Sequence, residues 1–285
     1  MATQAGALTE TAGNGNWGIA IDGRLSSKVS LKKGKGTPMK KGLIFTLCLS
    51  IALFAAAASG MAMSGQEILE QVDRNLQPGD LEMYRKIINI EPDGSRKAYV
   101  LWFLKKDQDK VVTLFISPAS EEGRATLRLG DNMWLYIPNV GRPIRITSMQ
   151  SVVGGVFNNA DIMRLDYSQE YKAASLSEDQ GQYVLDLKAK TGAVAYDRLK
   201  MWVLKKELVP TKIQCFAATG MLIKTLLFKE VRDIGDGVVR PAVIETESPL
   251  YRGYKSIMIS AKLKKRSLPD EVFTLNYLAR IKDLR

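Results

Sequence analysis

The chain has 285 residues, with 41 lysines and arginines against 30 aspartates and glutamates, and it contains no histidine. The missing histidine excludes Ser-His-Asp and Cys-His catalysis and removes the commonest zinc ligand. Two cysteines exclude a disulfide-rich framework. The basic residues alternate with apolar ones along predicted strands instead of clustering in one run, so we expect no nucleic-acid partner.

The N-terminal part of the chain divides into two segments that we do not expect to join the folded domain. Residues 1–38 are rich in Gly, Ser, Thr and Lys without apolar periodicity, so they are disordered or precede the real start of the protein. Residues 39–62 combine a basic start, an apolar run from Leu43 to Ala58 and a small-residue exit, which predicts a cleaved secretory signal peptide. The alternative is an uncleaved N-terminal anchor. The signal predicts a periplasmic protein whose single domain spans residues 63–285.

The domain is predicted to start with a helix and to continue mainly as strands. Ser64 and Glu67 form a capping-box pattern before apolar residues at helical spacing. A Pro-Asp-Gly turn at 92–94 then separates two strand-like segments, which is typical of a β-hairpin. Similar turns follow, and a closing helix is predicted over 270–280. Because short turns join antiparallel rather than parallel strands, we expect an antiparallel sheet of about ten or eleven strands.

Several of these strands are apolar on both faces, among them residues 99–104 and 221–228. Both faces of such a strand must be covered when the protein folds in water. One face would meet a helix, and the other would meet the interior of a curved sheet. The predicted fold class is therefore α+β, mostly β.

The stretch from Trp134 to Asp166 is the best candidate for a functional site. It starts with the aromatic strand Trp-Leu-Tyr-Ile-Pro at 134–138 and continues with the basic strand Arg-Pro-Ile-Arg-Ile at 142–146. A Gly-Gly hinge and apolar residues follow at 154–164, which suit a short mobile helix. A strand edge with a mobile apolar flap suits a pocket with a lid, although an ordinary β-domain with one long loop has the same pattern.

These segments together resemble the outer-membrane lipoprotein-sorting protein family, the LolA-like periplasmic carriers. The resemblance runs from Gln66 to the C-terminus and depends on the 134–138 run, the basic segment after it, and Phe-Asn-Asn-Ala-Asp-Ile at 157–162. It implies a half-barrel of antiparallel strands over a few helices, whose apolar inner surface holds acyl chains and carries them between membranes. It also implies that the protein is not an enzyme and needs no cofactor or metal.

The resemblance implies a set of site residues and partners. The apolar cavity and its lid would be formed by Trp102, Trp134, Tyr136, Phe157, Ile162 and Met163. A latch for the lid, or a contact with the head group of the cargo, would come from Arg142, Arg145 or Arg164. The expected partner is an acylated lipoprotein or a lipid, with an inner-membrane transporter as a further candidate, and the protein is expected to be a monomer.

Two other functions are compatible with the same sequence. A periplasmic interaction or sensor module would use the half-barrel as a docking surface, for example for a membrane export pump, and would expose a large apolar patch. A surface-acting hydrolase would instead use the carboxylates of Asp161 and Asp166, and replacing them with Asn would abolish its turnover.

Overall fold

The computed structural model describes residues 63–285, so the predicted signal peptide at 39–62 and the segment 1–38 lie outside the described residues. Within residues 63–285, no helix has the length and apolar character that crossing a membrane requires. One large sheet is combined with α1 (Gly65–Leu76), α2 (Asn159–Ile162), α3 (Tyr167–Glu170) and the 3-10 helices Asp270–Phe273 and Leu275–Leu284.

The sheet is antiparallel throughout and open, and it confirms the predicted fold class. Its strands are β1 (Leu81–Ile90), β2 (Arg96–Lys106), β3 (Lys110–Ser117), β4 (Ala125–Leu129), β5 (Asn132–Tyr136), β6 (Ile144–Ile146), β7 (Tyr171–Asp179), β8 (Gln182–Ala189), β9 (Arg198–Leu204), β10 (Pro210–Phe216), β11 (Leu222–Asp233), β12 (Val239–Glu247) and β13 (Lys255–Lys265). These thirteen strands exceed the ten or eleven predicted, and the basic strand predicted at 142–146 is among them as β6.

The strand order joins two meanders at the middle of the sheet. β1 pairs with β13, although the two strands stand at opposite ends of the strand sequence. From β1 the order runs outward through β2, β3, β4 and β5 to β6, and from β13 it runs through the remaining strands to β7. β6 and β7 are therefore consecutive in the chain but lie at the two opposite edges of the sheet.

α1 starts at the capping box that the sequence predicted. Ser64 Oγ accepts a hydrogen bond from the backbone N–H of Glu67 at 3.2 Å, and the carboxylate of Glu67 accepts one from the backbone N–H of Ser64 at 2.7 Å. The apolar residues of α1 then pack against the sheet at helical spacing: Ile68, Leu69, Val72 and Leu76.

Both faces of the sheet carry a core, as the doubly apolar strands require. In β2, Leu101 and Phe103 belong to the core that includes α1, and we call this side the inner face. Trp102 and Leu104 belong to a second core on the opposite, outer face, where they join buried residues of the 3-10 helices such as Val272. The alternation follows from strand geometry, in which successive side chains point to opposite faces.

The closing segment is not the single α-helix predicted over 270–280. Thr274 has an extended backbone with φ −124° and ψ 152°, and its hydroxyl donates to Glu271 O at 2.7 Å. This local bond competes with continuation of a helix, so the segment divides into two 3-10 helices. The sequence pattern places Val272, Leu275, Leu278 and Ala279 on one apolar side; Val272 and Leu278 are buried, whereas Leu275 and Ala279 are exposed.

Candidate functional site

The connection from β6 to β7 closes the inner face of the sheet. Because these strands are the two edges, the connection has to cross one face of the sheet, and its apolar side chains pack in the inner core. We call residues 147–170 the flap. The flap first folds back on itself, and the backbone N–H of Val152 donates to Phe157 O at 2.9 Å. The turn between them places Gly154 at φ +74°, a left-handed conformation that suits glycine.

α2 follows this turn and has both of its cap bonds. Asn158 Oδ1 accepts from the backbone N–H of Asp161 at 3.0 Å, and Asp161 Oδ2 accepts from the backbone N–H of Asn158 at 3.0 Å. The short helix that the apolar pattern predicted is therefore present, and its capping box explains how so short a helix is held.

The flap fills the inner face with its own apolar side chains. Phe157, Ile162 and Met163 are each at most 2% exposed and pack in the same core as α1. The structure thus brings these three predicted lid residues together. A cavity of about 20 Å³ remains beside Arg164 and Tyr167, with room for roughly one water molecule. The structure therefore represents a closed form.

The backbone of the flap is held by polar side chains of the rest of the domain, a set of bonds that we call the latch. Three consecutive carbonyls accept bonds: Ile162 O from Arg85, Met163 O from Arg128 Nη1 at 3.1 Å, and Arg164 O from Gln77 Nε2 at 3.5 Å. Asn89 Nδ2 donates to Val153 O at 3.2 Å, and Ser256 Oγ accepts from the backbone N–H of Val156 at 2.9 Å. All these bonds reach backbone atoms, so they position the flap directly.

A buried ion pair fixes α2 to β11. Lys224 Nζ lies 2.8 Å from Asp161 Oδ2 and donates to Val156 O at 2.6 Å. The phenol of Tyr196 donates to Asp161 Oδ1 at 2.9 Å. Burial, together with the charge of Asp161, raises the pKa of Tyr196 and keeps the phenol protonated. Both oxygens of Asp161 are therefore engaged in structural contacts.

Two more ion pairs anchor the second half of the flap. Lys105 Nζ lies 3.1 Å from Asp166 Oδ1, and Arg128 pairs with Glu170. Burial raises the pKa of Asp166, and the charge of Lys105 opposes that rise. The two carboxylates considered for a hydrolase, Asp161 and Asp166, are thus each paired with a lysine. Within residues 63–285, no cluster of metal-ligating side chains is found.

Asp73 of α1 supports the start of α3. Its two carboxylate oxygens accept from the backbone N–H groups of Tyr167 and Ser168, at 2.7 Å and 2.8 Å. Burial raises the pKa of Asp73 to about 7, with a further contribution from the negative charge of Asp166, although the bond from Ser168 opposes the rise. This carboxylate therefore holds the flap through hydrogen bonds to its backbone.

Three arginines under the flap, Arg85, Arg164 and Arg240, form what we call the arginine triad. They are each at most 8% exposed, and within residues 63–285 none of them lies within 4.0 Å of a carboxylate oxygen. Arg240 donates to Leu76 O, and the guanidinium of Arg164 lies 4.7 Å from the ring centre of Tyr167. Arg85 donates to Ile162 O, and the Leu76 carbonyl bound by Arg240 precedes Gln77, whose amide donates to Arg164 O, so the three arginines lie in one region under the flap. Burial and the charges of Arg240 and Arg164 hold the pKa of Arg85 well below its ordinary value.

The remaining apolar residues predicted for the site lie on the other side of the sheet. Trp102, Trp134 and Tyr136 belong to the outer core with the 3-10 helices. Tyr136 also lines an outer groove of about 390 Å³, together with Leu278 and Ile281. The sheet separates these three residues from the flap, so the structure does not bring the six predicted residues into one cavity.

The predicted latch arginines also separate. Arg142 and Arg145 are exposed, and Arg145 donates to Asn132 on the neighbouring strand. Arg164 lies buried in the flap, but it is the carbonyl of this residue that takes part in the latch.

Arg164 was among the predicted residues, but the donors of the latch, the other two arginines of the triad and Lys224 were missed, although the sequence carries a signal for them. Arg85 stands two residues from Met83 and from Ile87, in the inward phase of β1. Lys224 likewise stands two residues before Leu226, in the inward phase of β11. A charged residue in the buried phase of an alternating strand needs a partner inside the protein, since an unpaired buried charge is costly.

Comparison with known proteins supports the same fold. A family model described as "uncharacterized protein" matches residues 107–280, which is more than half of the chain. No curated protein matches the chain. Among solved structures, a LolA superfamily protein from Nitrosomonas europaea is 28% identical with a TM-score of 0.69, and the match covers 76% of this chain and 100% of that one.

Two further structures share the fold at lower identity. A DUF1329 family protein from Desulfovibrio piger is 22% identical with a TM-score of 0.66, over 75% of this chain and 97% of that one. A putative outer membrane lipoprotein-sorting protein domain from Vibrio parahaemolyticus is 22% identical with a TM-score of 0.63, over 76% and 98%. The chain therefore belongs to the family whose model matches residues 107–280, and it has the LolA-like fold of the outer-membrane lipoprotein-sorting proteins.

Proposed function

We propose that the protein is a periplasmic carrier that binds the acyl chains of a lipid or lipoprotein on its inner face and carries them toward the outer membrane. The observation that carries this proposal is the flap, which crosses the inner face, fills it with apolar side chains and is held there by exchangeable hydrogen bonds. The LolA-like fold and the signal peptide predicted at 39–62 support the same proposal.

Loading would exchange one set of apolar contacts for another. As the flap lifts, Phe157, Ile162 and Met163 leave the inner face and an acyl chain takes their place. Exposing each of these side chains costs about 1.5–3 kcal/mol, whereas each CH₂ group of the chain that leaves water returns about 0.8 kcal/mol. A chain of about twelve carbons therefore offsets the exposure of these three side chains without an energy source or a catalytic group.

Release of the latch is compatible with this exchange. The carbonyls of residues 162–164 point to side-chain donors while the flap is closed, and water can replace those donors when it opens. Because such an exchange of partners leaves the number of hydrogen bonds nearly unchanged, its net cost is modest, about 0.5–1.5 kcal/mol for each neutral bond.

The proposed partners follow from the cargo. An acylated lipoprotein or lipid would be delivered by a membrane component, for which an inner-membrane transporter is the candidate, and the carrier would act as a monomer. In this proposal Phe157, Ile162 and Met163 are the lid residues, whereas Trp102, Trp134 and Tyr136 stabilise the outer core. The exposed Arg142 and Arg145 are left as candidates for contact with a receiving membrane or protein.

The test is photo-crosslinking with a fatty acid that carries a diazirine at the end of its chain. The protein is purified without detergent, first examined by native mass spectrometry for co-purified lipid, and then irradiated with the probe. We expect a mass excess that solvent extracts as acylated lipid, and crosslinks to Phe157, Met163 or the inward residues of β1 and β11.

Other outcomes separate the alternatives. Crosslinks confined to the outer groove at Tyr136 and Leu278 would contradict binding on the inner face. No co-purified lipid and no crosslink at all would refute the carrier and favour the docking module, for which the exposed Leu250, Tyr251 and Tyr254 are a candidate surface.

A further inference from the structure

The flap and its surroundings contain more buried positive than negative charge. The buried cationic side chains of the described residues are Arg85, Lys105, Arg128, Arg164, Lys224 and Arg240. Three of them are matched by carboxylates, Lys105 by Asp166, Arg128 by Glu170 and Lys224 by Asp161. The remaining buried carboxylate, Asp73, binds backbone N–H groups instead of a cation. Arg85 and Arg240 are thus left without a counter-charge. Burial opposes the charge of Arg164, but its surroundings, which include Asp161 and Glu170, raise its pKa overall.

Holding the flap does not explain these charges. Gln77 and Asn89 also donate to flap carbonyls, and both are neutral. A single bond to a carbonyl uses one of the five donors of a guanidinium, so Arg85 at Ile162 O and Arg240 at Leu76 O are poorly used as simple hydrogen-bond donors. Burying an unpaired charge costs several kcal/mol, whereas an amide at the same position would avoid that cost.

Several polar atoms near the triad also lack a partner. The Nε groups of Arg85 and Arg240 and the hydroxyl of Tyr167 are buried without a hydrogen bond. Within residues 63–285, the guanidinium of Arg164 makes no hydrogen bond to another side chain, and it faces Tyr167 and, at 6.0 Å, the ring of Phe228. These are donors, and they lie at the boundary between the flap and the inner face.

We propose that the arginine triad binds the oxyanion of an amphiphilic cargo, a carboxylate or phosphate attached to an acyl chain. The acyl chain would occupy the inner face vacated by the flap, and the anionic head would accept bonds from Arg85, Arg164 and Arg240. The present cavity of about 20 Å³ is too small for such a head, so binding requires the flap to move. This inference rests on the proposed carrier function and adds that the cargo is anionic.

The test compares ligands that share a twelve-carbon chain but differ in the head group. Dodecyl phosphate, dodecyl maltoside and inorganic phosphate are titrated into the purified protein by calorimetry, below the micelle concentrations of the two amphiphiles. We expect dodecyl phosphate to bind at least about tenfold more tightly than dodecyl maltoside, as charge-assisted hydrogen bonds to an oxyanion require. Inorganic phosphate alone should bind weakly.

The diagnostic variants are Arg164→Gln and Arg240→Gln, with Arg252→Gln as a matched control in an exposed turn. Arg164→Gln should remove the preference for the phosphate head and leave the affinity for dodecyl maltoside unchanged. Arg240→Gln should raise the Tm of the unliganded protein, because it removes a buried charge that burial and the charge of Arg164 disfavour. A purely structural arginine would instead lower the Tm and leave the head-group preference intact.

Each outcome decides between the two proposals. Equal binding of the two amphiphiles would overturn the anionic cargo and leave the carrier standing. Binding of inorganic phosphate alone, with the same loss in Arg164→Gln, would support the anion site and overturn the acyl carrier. Binding of none of the ligands would overturn both. Head-group preference that persists in both triad variants would overturn the triad as its cause.

Discussion

At the scale of residues, the contact between Asn89 and the Gly154-Gly155 turn shows how closely the flap fits the sheet. Asn89 donates to Val153 O, and its Oδ1 accepts from Ser256 Oγ at 2.8 Å, so both ends of its amide are engaged. A Cβ atom built on Gly155 would lie 2.5 Å from Asn89 Cγ. Residue 155 therefore has to be glycine for the closed flap to form without strain.

Gly155→Ala should destabilise the closed form by about 1–3 kcal/mol, because the added methyl group forces Asn89 out of its hydrogen bonds. Urea denaturation followed by tryptophan fluorescence measures this change. Gly192→Ala is the matched control, since a Cβ at that position meets nothing within 4 Å and its φ is not in the left-handed region. Equal stability of the two variants would contradict the close fit of the flap.

A second residue-scale prediction concerns pH and Asp73, whose pKa is raised by burial to about 7. Between pH 4 and pH 7 the folded protein binds more protons at this carboxyl than the unfolded chain does, so stability should fall as the pH rises through this window. The loss attributable to this group is on the order of 2–4 kcal/mol. Asp73→Asn should flatten the dependence, and exposed Asp131→Asn should not; chemical denaturation at several pH values checks both. An unchanged slope in Asp73→Asn would refute the assignment.

At the scale of elements, turns and alternation predicted most of the strands. The hairpin of β1 and β2 forms at the Pro-Asp-Gly turn, where Gly94 adopts φ +83°. The prediction of a single closing helix was wrong, because the helical spacing of apolar residues does not reveal the hydrogen bond from the Thr274 hydroxyl to Glu271 O that interrupts the helix. The alternation of side chains along each strand also marks Arg85 and Lys224 as inward residues. It does not tell which segment covers them, because the pairing of strands distant in sequence determines the position of that segment.

The docking of α2 onto β11 gives a prediction for such an inward residue. Lys224→Met removes the partner of buried Asp161 and should destabilise the protein by about 3–5 kcal/mol. Adding Asp161→Asn should recover part of that loss, because the amide oxygen introduced at position 161 can still accept from the backbone N–H of Asn158 and the side chain carries no charge. Urea denaturation of the wild type, both single variants and the double variant measures the coupling. Strict additivity of the two losses would show that the pair does not hold α2.

At the scale of the whole molecule, the pairing of β1 with β13 decides where the flap lies. That pairing places β6 and β7 at opposite edges, and the connection between them crosses the inner face. The sequence revealed an apolar segment after a Gly-Gly turn but not its position, because two strands distant in sequence determine it. Trp102, Trp134 and Tyr136 were grouped with the flap for the same reason. The pattern of apolar residues along a strand does not show which face of the sheet is the inner one.

If the flap gates the inner face, tying it to the sheet should stop the uptake of cargo. In Asn89→Cys combined with Gly155→Cys, the sulfur at position 89 would lie near the present Asn89 Cγ, 2.5 Å from the Cβ position of residue 155, so the two cysteines are close enough to form a disulfide. The oxidised protein should lose its crosslinks to the diazirine fatty acid, and a thiol reductant should restore them. Each single cysteine variant, treated with the same oxidant, controls for damage to the turn. Undiminished crosslinking to the inner strands in the oxidised double variant would mean that cargo reaches them without displacing the flap, and the flap would then be a fixed part of the core.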